Sequence, residues 1–397
     1  MALAPNVYDA EPIPEAARVE IERLLASGDL FRYTSEGSPV QLLEAEFAEL
    51  MGARYALAVS SCSAALFLSL KALDLPRGAR VLIPAFTFAA VPSAVVHADC
   101  VPVLCEVGEN YRIDLEDFAA KIDDGIACVL ISHMRGHTSD MDAIMAACDA
   151  RGIPVVEDAA HSIGTLWNGR KIGTIGKIGC FSFQSYKLVN SGEGGILITD
   201  DPELAARATI MSGAYEHNWK KHNGLQNSFA TWQNRLPLYN MRMQNLSATV
   251  IRPQLPLVAE RVEKGRANHD YVAARLNASP WLSVPMPLGP ELRAPDSIQF
   301  NLIGFETDAE ARAFQEAAKA RGTSVQVFGL SEDNARAFWN WQFLGAAPDL
   351  PKTRAMLMRA CDARLPVRLT RDQLDFIADA LVGAAEDVKG ATRAYGT

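Results

Sequence analysis

Residues 155–199 read VVEDAAHSIGTLWNGRKIGTIGKIGCFSFQSYKLVNSGEGGILIT. Ile153-Pro154-Val155-Val156 is short, apolar and β-branched, the mark of a strand buried on both faces of a parallel sheet. Glu157-Asp158 closes it at the carboxyl end, where open α/β sheets place ligands. A second strand is expected over residues 178–183 and a third over 196–199. Lys187 falls in the turn between them and is followed by Gly192-Glu193-Gly194-Gly195. One edge of one sheet thus receives a carboxylate and an amine.

Outward from this stretch, short apolar strands (55–59, 80–84, 101–105, 127–132, 154–158) alternate with helical patterns (64–73, 89–97, 141–150). Such alternation predicts an α/β fold, a parallel sheet covered on both faces by helices. Helices are also expected over 12–28 and 40–51. Residues 213–237 are polar and aromatic without strong periodicity and read as a long loop, a feature often tied to function. Residues 243–272 read as one or two helices, broken near Pro253 and Pro256. The remainder reads as strand 297–304, helix 308–321, strand 323–328 and helices 352–361 and 371–388. At 397 residues the chain exceeds the usual size of one core. Two domains are expected, a large one over 1–255 and a small α+β domain over 256–397.

Composition excludes several classes. A net charge of −9 gives no basic footprint for nucleic acid. No apolar run reaches about 18 residues, so no membrane helix is expected. The N-terminus has no basic segment leading into an apolar core, so no signal peptide is expected and the chain reads as cytoplasmic. The seven cysteines are odd in number, lie mostly in apolar patterns and lack metal-ligand spacing, which reads as reduced buried thiols and no metal site. Cys361 is read as helical.

The chemistry starts at Lys187. A lysine in a polar turn is ordinarily just solvated. Between two strands and before glycines that let backbone approach a ligand, a partly desolvated amine could condense with a carbonyl compound. Asp158, otherwise a solvated strand end, could hold an anion against a protonated ring nitrogen. An aldehyde cofactor with a pyridine ring needs both groups. It also needs a phosphate seat, and Ser60-Ser61-Cys62-Ser63-Ala64 opens a helix whose free N–H groups favour an anion. Taken alone, plain N-capping is the commoner explanation of that segment.

With these residues in place, the chain resembles the DegT/DnrJ/EryC1/StrS sugar aminotransferases, pyridoxal phosphate enzymes of fold type I, over residues 30–385. The motifs are Glu157-Asp-Ala-Ala-His161, Phe181-Ser-Phe followed by three residues and Lys187, and Gly192-Glu-Gly-Gly195. Weaker matches lie at 60–66, 83–89 and 239–243. The resemblance implies a large domain with a mostly parallel central sheet and a smaller C-terminal α+β domain. It implies that Lys187 forms the Schiff base with pyridoxal 5′-phosphate and then moves the proton, while Asp158 pairs with the pyridinium nitrogen. It further implies His161 beside the ring, Phe88 stacked on it, and Ser63, Ala64 and Ser182 at the phosphate. Asn240 would reach the phosphate of a neighbouring subunit, which requires a homodimer with shared active sites. The implied reaction moves an amino group from L-glutamate or L-glutamine, through the pyridoxamine form, to a nucleotide-linked keto-sugar or a keto-cyclitol in amino-sugar, polysaccharide or natural-product biosynthesis.

The chain departs from the family pattern where the acceptor would lie. His133-Met-Arg-Gly-His137 carries Arg135 where Tyr is common, so Arg135 and His133 are candidate substrate residues, with a rim salt bridge as the plainer role for Arg135. Val325-Gln-Val-Phe-Gly329 stands where a His-Tyr-Pro element is frequent. The aromatic tract 336–342 lines the acceptor site or packs on the sheet. A dehydratase of this group carries His at the Lys187 position, and a cysteine desulfurase needs a mobile thiol that is missing after Lys187. A non-catalytic relative would have a degraded constellation, whereas here it is intact.

Overall fold

The structure is a computed structural model that describes residues 4–32, 36–123, 125–214 and 224–395. Its strands are β1 (Tyr55–Val59), β2 (Arg80–Pro84), β3 (Val101–Cys105), β4 (Ile126–Ser132), β5 (Val155–Asp158), β6 (Leu166–Trp167), β7 (Arg170–Lys171), β8 (Ile178–Ser182), β9 (Gly195–Thr199), β10 (Leu282–Ser283), β11 (Glu291–Leu292), β12 (Ser297–Leu302), β13 (Gln326–Val327) and β14 (Ala360–Arg364). Its helices are α1 (Glu15–Ser27), α2 (Pro39–Met51), α3 (Cys62–Ala72), α4 (Ala90–His97), α5 (Leu115–Lys121), α6 (Met141–Asp149), α7 (Pro202–Met211), α8 (Gln226–Trp232), α9 (Asn245–Ile251), α10 (Val258–Asn277), α11 (Asp308–Ala320), α12 (Pro351–Leu357) and α13 (Arg371–Tyr395).

The central sheet has seven strands in the order β1-β9-β8-β5-β4-β2-β3. Every pairing is parallel except those of β9, which runs antiparallel to both β1 and β8. The fold is therefore α/β with a mostly parallel sheet, as expected. The period-2 alternation of a strand gives each face its own core. Val81, Ile83, Cys128 and Leu130 point to one side, with α3, α4 and α7. Leu82, Val129 and Ile131 point to the other, with α2, α5, α6 and α9.

A second, antiparallel sheet runs β10-β12-β14-β13 and shares its core with α10, α11 and α13. The segment from Phe328 to Ala360 belongs instead to the core of the large sheet, through Phe338, Trp341 and Leu357. A small third sheet, β11-β6-β7, pairs Glu291 with Trp167. Glu291 there forms a fully buried ion pair with Arg112 and accepts the Thr138 N–H at 2.8 Å.

Three local expectations change. The helix expected over 352–361 ends at Leu357, and Ala360–Arg364 is a strand that fills the gap between β12 and β13. Cys361 thus sits in a sheet, because pairing on both sides outweighs the helical pattern of its neighbours. The strand expected over 323–328 shrinks to Gln326–Val327, since Phe328–Leu330 turns in a 3-10 helix. The loop expected over 213–237 contains α8, whose Phe229 is buried and whose Trp232 covers the Arg207 guanidinium at 4.5 Å. Residues 215–223 of that loop lie outside the described residues. Pro253 and Pro256 do break the helical run, in a 3-10 segment over Arg252–Leu257.

Candidate active site

The site lies at the carboxyl ends of the parallel strands. Asp158 ends β5, opposite Ser132 at the end of β4. One Asp158 oxygen accepts from Ser132 Oγ at 2.8 Å, and Ser132 is in turn held by Thr87 at 2.8 Å. The other oxygen accepts the Ala160 N–H at 3.2 Å. With 7% exposure, the carboxylate is pinned yet still open to the cavity above it. Glu157, one residue earlier, points to the opposite face and is wholly buried. It accepts N–H groups of Gly173 (2.8 Å), Ile175 (2.7 Å) and Gly176 (2.6 Å) and faces His133 Nε2 at 3.1 Å. Burial alone would raise its pKa, but these donors hold it below the usual value.

Lys187 follows β8 in a loop closed by Lys187 N–H to Gln184 O at 2.9 Å and Phe183 N–H to Gly194 O at 2.9 Å. Its Nζ stands 2.6 Å from His161 Nε2. Burial pushes the amine down to about 8; Asp296 works to raise it and Arg135 to lower it. Burial and the Lys187 charge push His161 down to about 3, so its imidazole is neutral. Nε2 then accepts from Lys187, and Nδ1–H faces Asp296 Oδ2 at 3.9 Å. Burial would raise Asp296, but His161, Arg135 and Lys187 together hold it far below the usual carboxylate value. The result is a three-membered row, Asp296–His161–Lys187, in which neutral His161 holds the lysine amine and Asp296 faces its far side.

At the N-terminus of α3, Ser61 is the cap, and its Oγ accepts the Ala64 N–H at 3.0 Å. Cys62 and Ser63 line the cavity at this end, as does Ser182 from the end of β8. The glycine cluster explains how they meet. A Cβ on Gly195 would lie 2.2 Å from the Ser61 carbonyl carbon. Gly195 therefore lets β9 press against the start of α3, a backbone contact with the helix rather than with a ligand.

The cavity that collects these groups measures about 860 Å³. Lys187, Asp158, His161, Ser63, Ser182, Phe88 and Arg135 all line it. Phe88 is 49% exposed, which is unusual for phenylalanine in a core and suits a face offered to a ligand. Three of the expected site residues stand elsewhere. Ala64 is buried, with its amide taken by Ser61. Asn240 is not among the lining residues of its own chain. His133 is only 1% exposed and is committed to Glu157, so it does not face the cavity as a substrate residue would.

Sequence reading missed Ser132, Asp296, Asp362 and Arg364 as site residues; of the tract 336–342, Arg336 lines the cavity while Phe338 and Trp341 pack in the core of the large sheet. Ser132 has a signal in hindsight, as the last residue of the strand beside β5. The others come from the C-terminal region, where nothing in the local pattern announces their approach.

A family model described as the DegT/DnrJ/EryC1/StrS aminotransferase family matches residues 14–382. The chain is 29% identical over 383 residues to the spore coat polysaccharide biosynthesis protein SpsC of Bacillus subtilis (strain 168), covering 94% of each. It is 33% identical over 232 residues to a GDP-perosamine synthase of Vibrio cholerae, covering 58% of this chain and 59% of that protein. The crystal structure of 3-amino-5-hydroxybenzoic acid synthase superposes with a TM-score of 0.85 over 97% of this chain and 100% of the other, at 24% identity, a likeness of fold.

Proposed function

The chain belongs to the DegT/DnrJ/EryC1/StrS aminotransferase family, and from that premise we propose that it moves an amino group from L-glutamate or L-glutamine to a keto-sugar or keto-cyclitol with pyridoxal 5′-phosphate as cofactor. The observation that carries the reading is the amine of Lys187 and the carboxylate of Asp158 in one cavity, with neutral His161 on the amine. The donor set fits that cofactor: a desolvated amine for its aldehyde, a pinned carboxylate for its ring nitrogen, hydroxyls at a helix start for its phosphate, and an open phenyl face for its ring.

When bound, pyridoxal 5′-phosphate supplies an aldehyde for the nitrogen and a cationic ring that withdraws electrons. The protein does the rest. Asp158 would face the ring nitrogen and keep it protonated; Ser132 and Ala160 hold Asp158 in position. Lys187 would hold the cofactor through its amine, which burial brings down to about 8 in the free protein, and the same amine would take and return the substrate proton. His161 orients that amine and Asp296 orients His161. Ser63 and Ser182 would seat the phosphate, with the amides of Cys62 and Ser63 at the start of α3. Phe88, exposed in the cavity, would offer its face to the ring. Arg135 lines the cavity but is paired with Asp362, the salt bridge that was its plainer role, so it would meet a substrate anion only while sharing that carboxylate.

Asn240 stays outside its own cavity, which supports the reading that it serves the phosphate of a partner subunit in a homodimer. Six of the seven cysteines are buried and none forms a disulfide, in keeping with a cytoplasmic enzyme. Among the described residues no helix is long and apolar enough to cross a membrane. The relatives named above act in coat-polysaccharide synthesis and in perosamine synthesis, which supports an acceptor of the keto-sugar class.

Absorbance tests the reading directly. The protein with its cofactor shows a visible band that Lys187→Ala abolishes, L-glutamate or L-glutamine bleaches it, and a keto acceptor restores it. If neither donor bleaches the band, the aminotransferase reading is wrong. Donor turnover in Lys187→Ala falls about 10³-fold or more.

A further inference from the structure

Three neighbouring parallel strands, β2, β4 and β5, end side by side at the cavity. Each end brings one oxygen-bearing side chain to the same place. Thr87, just after β2, donates its hydroxyl to Ser132 Oγ at 2.8 Å. Ser132, the last residue of β4, donates in turn to Asp158 Oδ2 at 2.8 Å. Thr87 and Ser132 are both buried. Two hydroxyls in line polarise one another, which strengthens the bond that reaches the carboxylate. From the start of α3, Cys62 brings its Sγ to 3.8 Å from Asp158 Oδ1, the oxygen that also accepts the Ala160 N–H. Burial and the Asp158 charge push the Cys62 thiol well above its ordinary value, so it keeps its proton and donates. A thiol at this distance is the weaker arm, and the hydroxyl chain is the stronger one.

An ionised carboxylate offers about four lone-pair sites. Ser132 occupies one on Oδ2, while Ala160 and Cys62 occupy both on Oδ1. What stays open is on Oδ2, at the end of the hydroxyl chain. Among the described residues no arginine or lysine forms an ion pair with Asp158, so its direct partners are neutral donors. Hydrogen bonds donated to a carboxylate favour its anionic form. An anion already supplied with donors is a poor proton acceptor and leaves a shared proton on its partner.

Resting on the aminotransferase reading, we propose that Cys62, Ser132 and Thr87 are positioning residues that act through Asp158 to keep the proton of the cofactor's ring nitrogen on that nitrogen. A protonated ring is the form that draws electrons from a substrate. Stripped of these donors, Asp158 pulls the proton toward its own oxygen and the ring becomes a weaker electron sink.

Nitrogen NMR of the protein loaded with ring-labelled pyridoxal 5′-phosphate reads the position of that proton without turnover. Wild type gives the resonance of a protonated pyridine nitrogen. Ser132→Ala moves it toward that of neutral pyridine, Cys62→Ala and Thr87→Val move it less, and the Ser132→Ala, Cys62→Ala double variant moves it furthest. Cys62→Ser and Thr87→Ser, which keep a donor, stay at the wild-type position. The half-reaction with L-glutamate slows about tenfold in Ser132→Ala. Cys62→Ala, at the border of the cavity, supplies the reading should Ser132→Ala lose its native melting temperature. A neutral resonance already in wild type, or one unmoved in folded Ser132→Ala and Cys62→Ala, overturns the proposal. A lowered melting temperature with an unmoved resonance is what a purely structural role gives, and it overturns the proposal too. Bleaching of the visible band by L-glutamate or L-glutamine is scored separately on the wild-type protein. Bleaching with an unmoved resonance in the variants sinks the donor shell alone, and bleaching by neither sinks the aminotransferase reading beneath it.

Discussion

At the scale of single residues, the Lys187 amine is set by two opposed neighbours. Asp296 favours its ammonium form and Arg135 disfavours it, on top of burial that already brings it to about 8. Covalent attachment of the cofactor needs the neutral amine, so its rate rises with pH and levels near 8 rather than near the usual value of about 10.4 for lysine. Asp296→Asn removes the stabilising charge and moves that midpoint lower. Arg135→Gln removes the opposing charge and moves it higher. Stopped-flow uptake of pyridoxal 5′-phosphate across pH reads both, and a shift in the same direction for the two variants contradicts the row. Lys187 and Asp158 were legible because each sits in a short motif whose spacing is local. Asp296, 109 residues beyond Lys187 by number, was not, because only folding brings Pro295-Asp296-Ser297 beside His161.

At the scale of elements, the Glu157-Asp158 pair shows what one residue step does on a strand. Asp158 faces the cavity, while Glu157 faces inward and ties Gly173, Ile175 and Gly176 to β5. Glu157→Ala leaves those donors and His133 unpaired in a dry interior. The expected loss is about 3–5 kcal/mol of stability, seen as a drop of several degrees in melting temperature. Gly195→Ala sets a methyl against Ser61 and displaces the start of α3 from β9. Its expected signature is at least about a tenfold weaker hold on pyridoxal 5′-phosphate, with the Lys187 midpoint unmoved, measured by equilibrium dialysis. The strands of the large sheet were readable because each is a buried apolar run bounded by turns. β14 was not, because Ala360-Cys361-Asp362-Ala363-Arg364 becomes a strand through β12 and β13 on either side of it.

At the scale of the whole molecule, the proposed homodimer predicts a mass near twice 43.1 kDa by light scattering and a specific kind of complementation. Lys187→Ala and Asn240→Ala are each inactive alone. Unfolded together and refolded as a mixture, they regain about one quarter of the wild-type sites, because half the dimers are mixed and each mixed dimer carries one intact site. No recovery means that Asn240 acts within its own chain or not at all. The sequence by itself determined the class of fold, the sheet edge where the cavity opens, and the lysine and aspartate that line it, since those depend on hydrophobic period and on motifs a few residues long. The tertiary structure alone decided that Glu157 and His133 turn away from the cavity, that Asp296 stands behind His161 and Lys187, and that three arginines from distant segments line one cavity. The reason is physical. Strand period and turn chemistry are written over neighbouring residues, whereas the charge around a buried amine is the sum over everything folding brings near it.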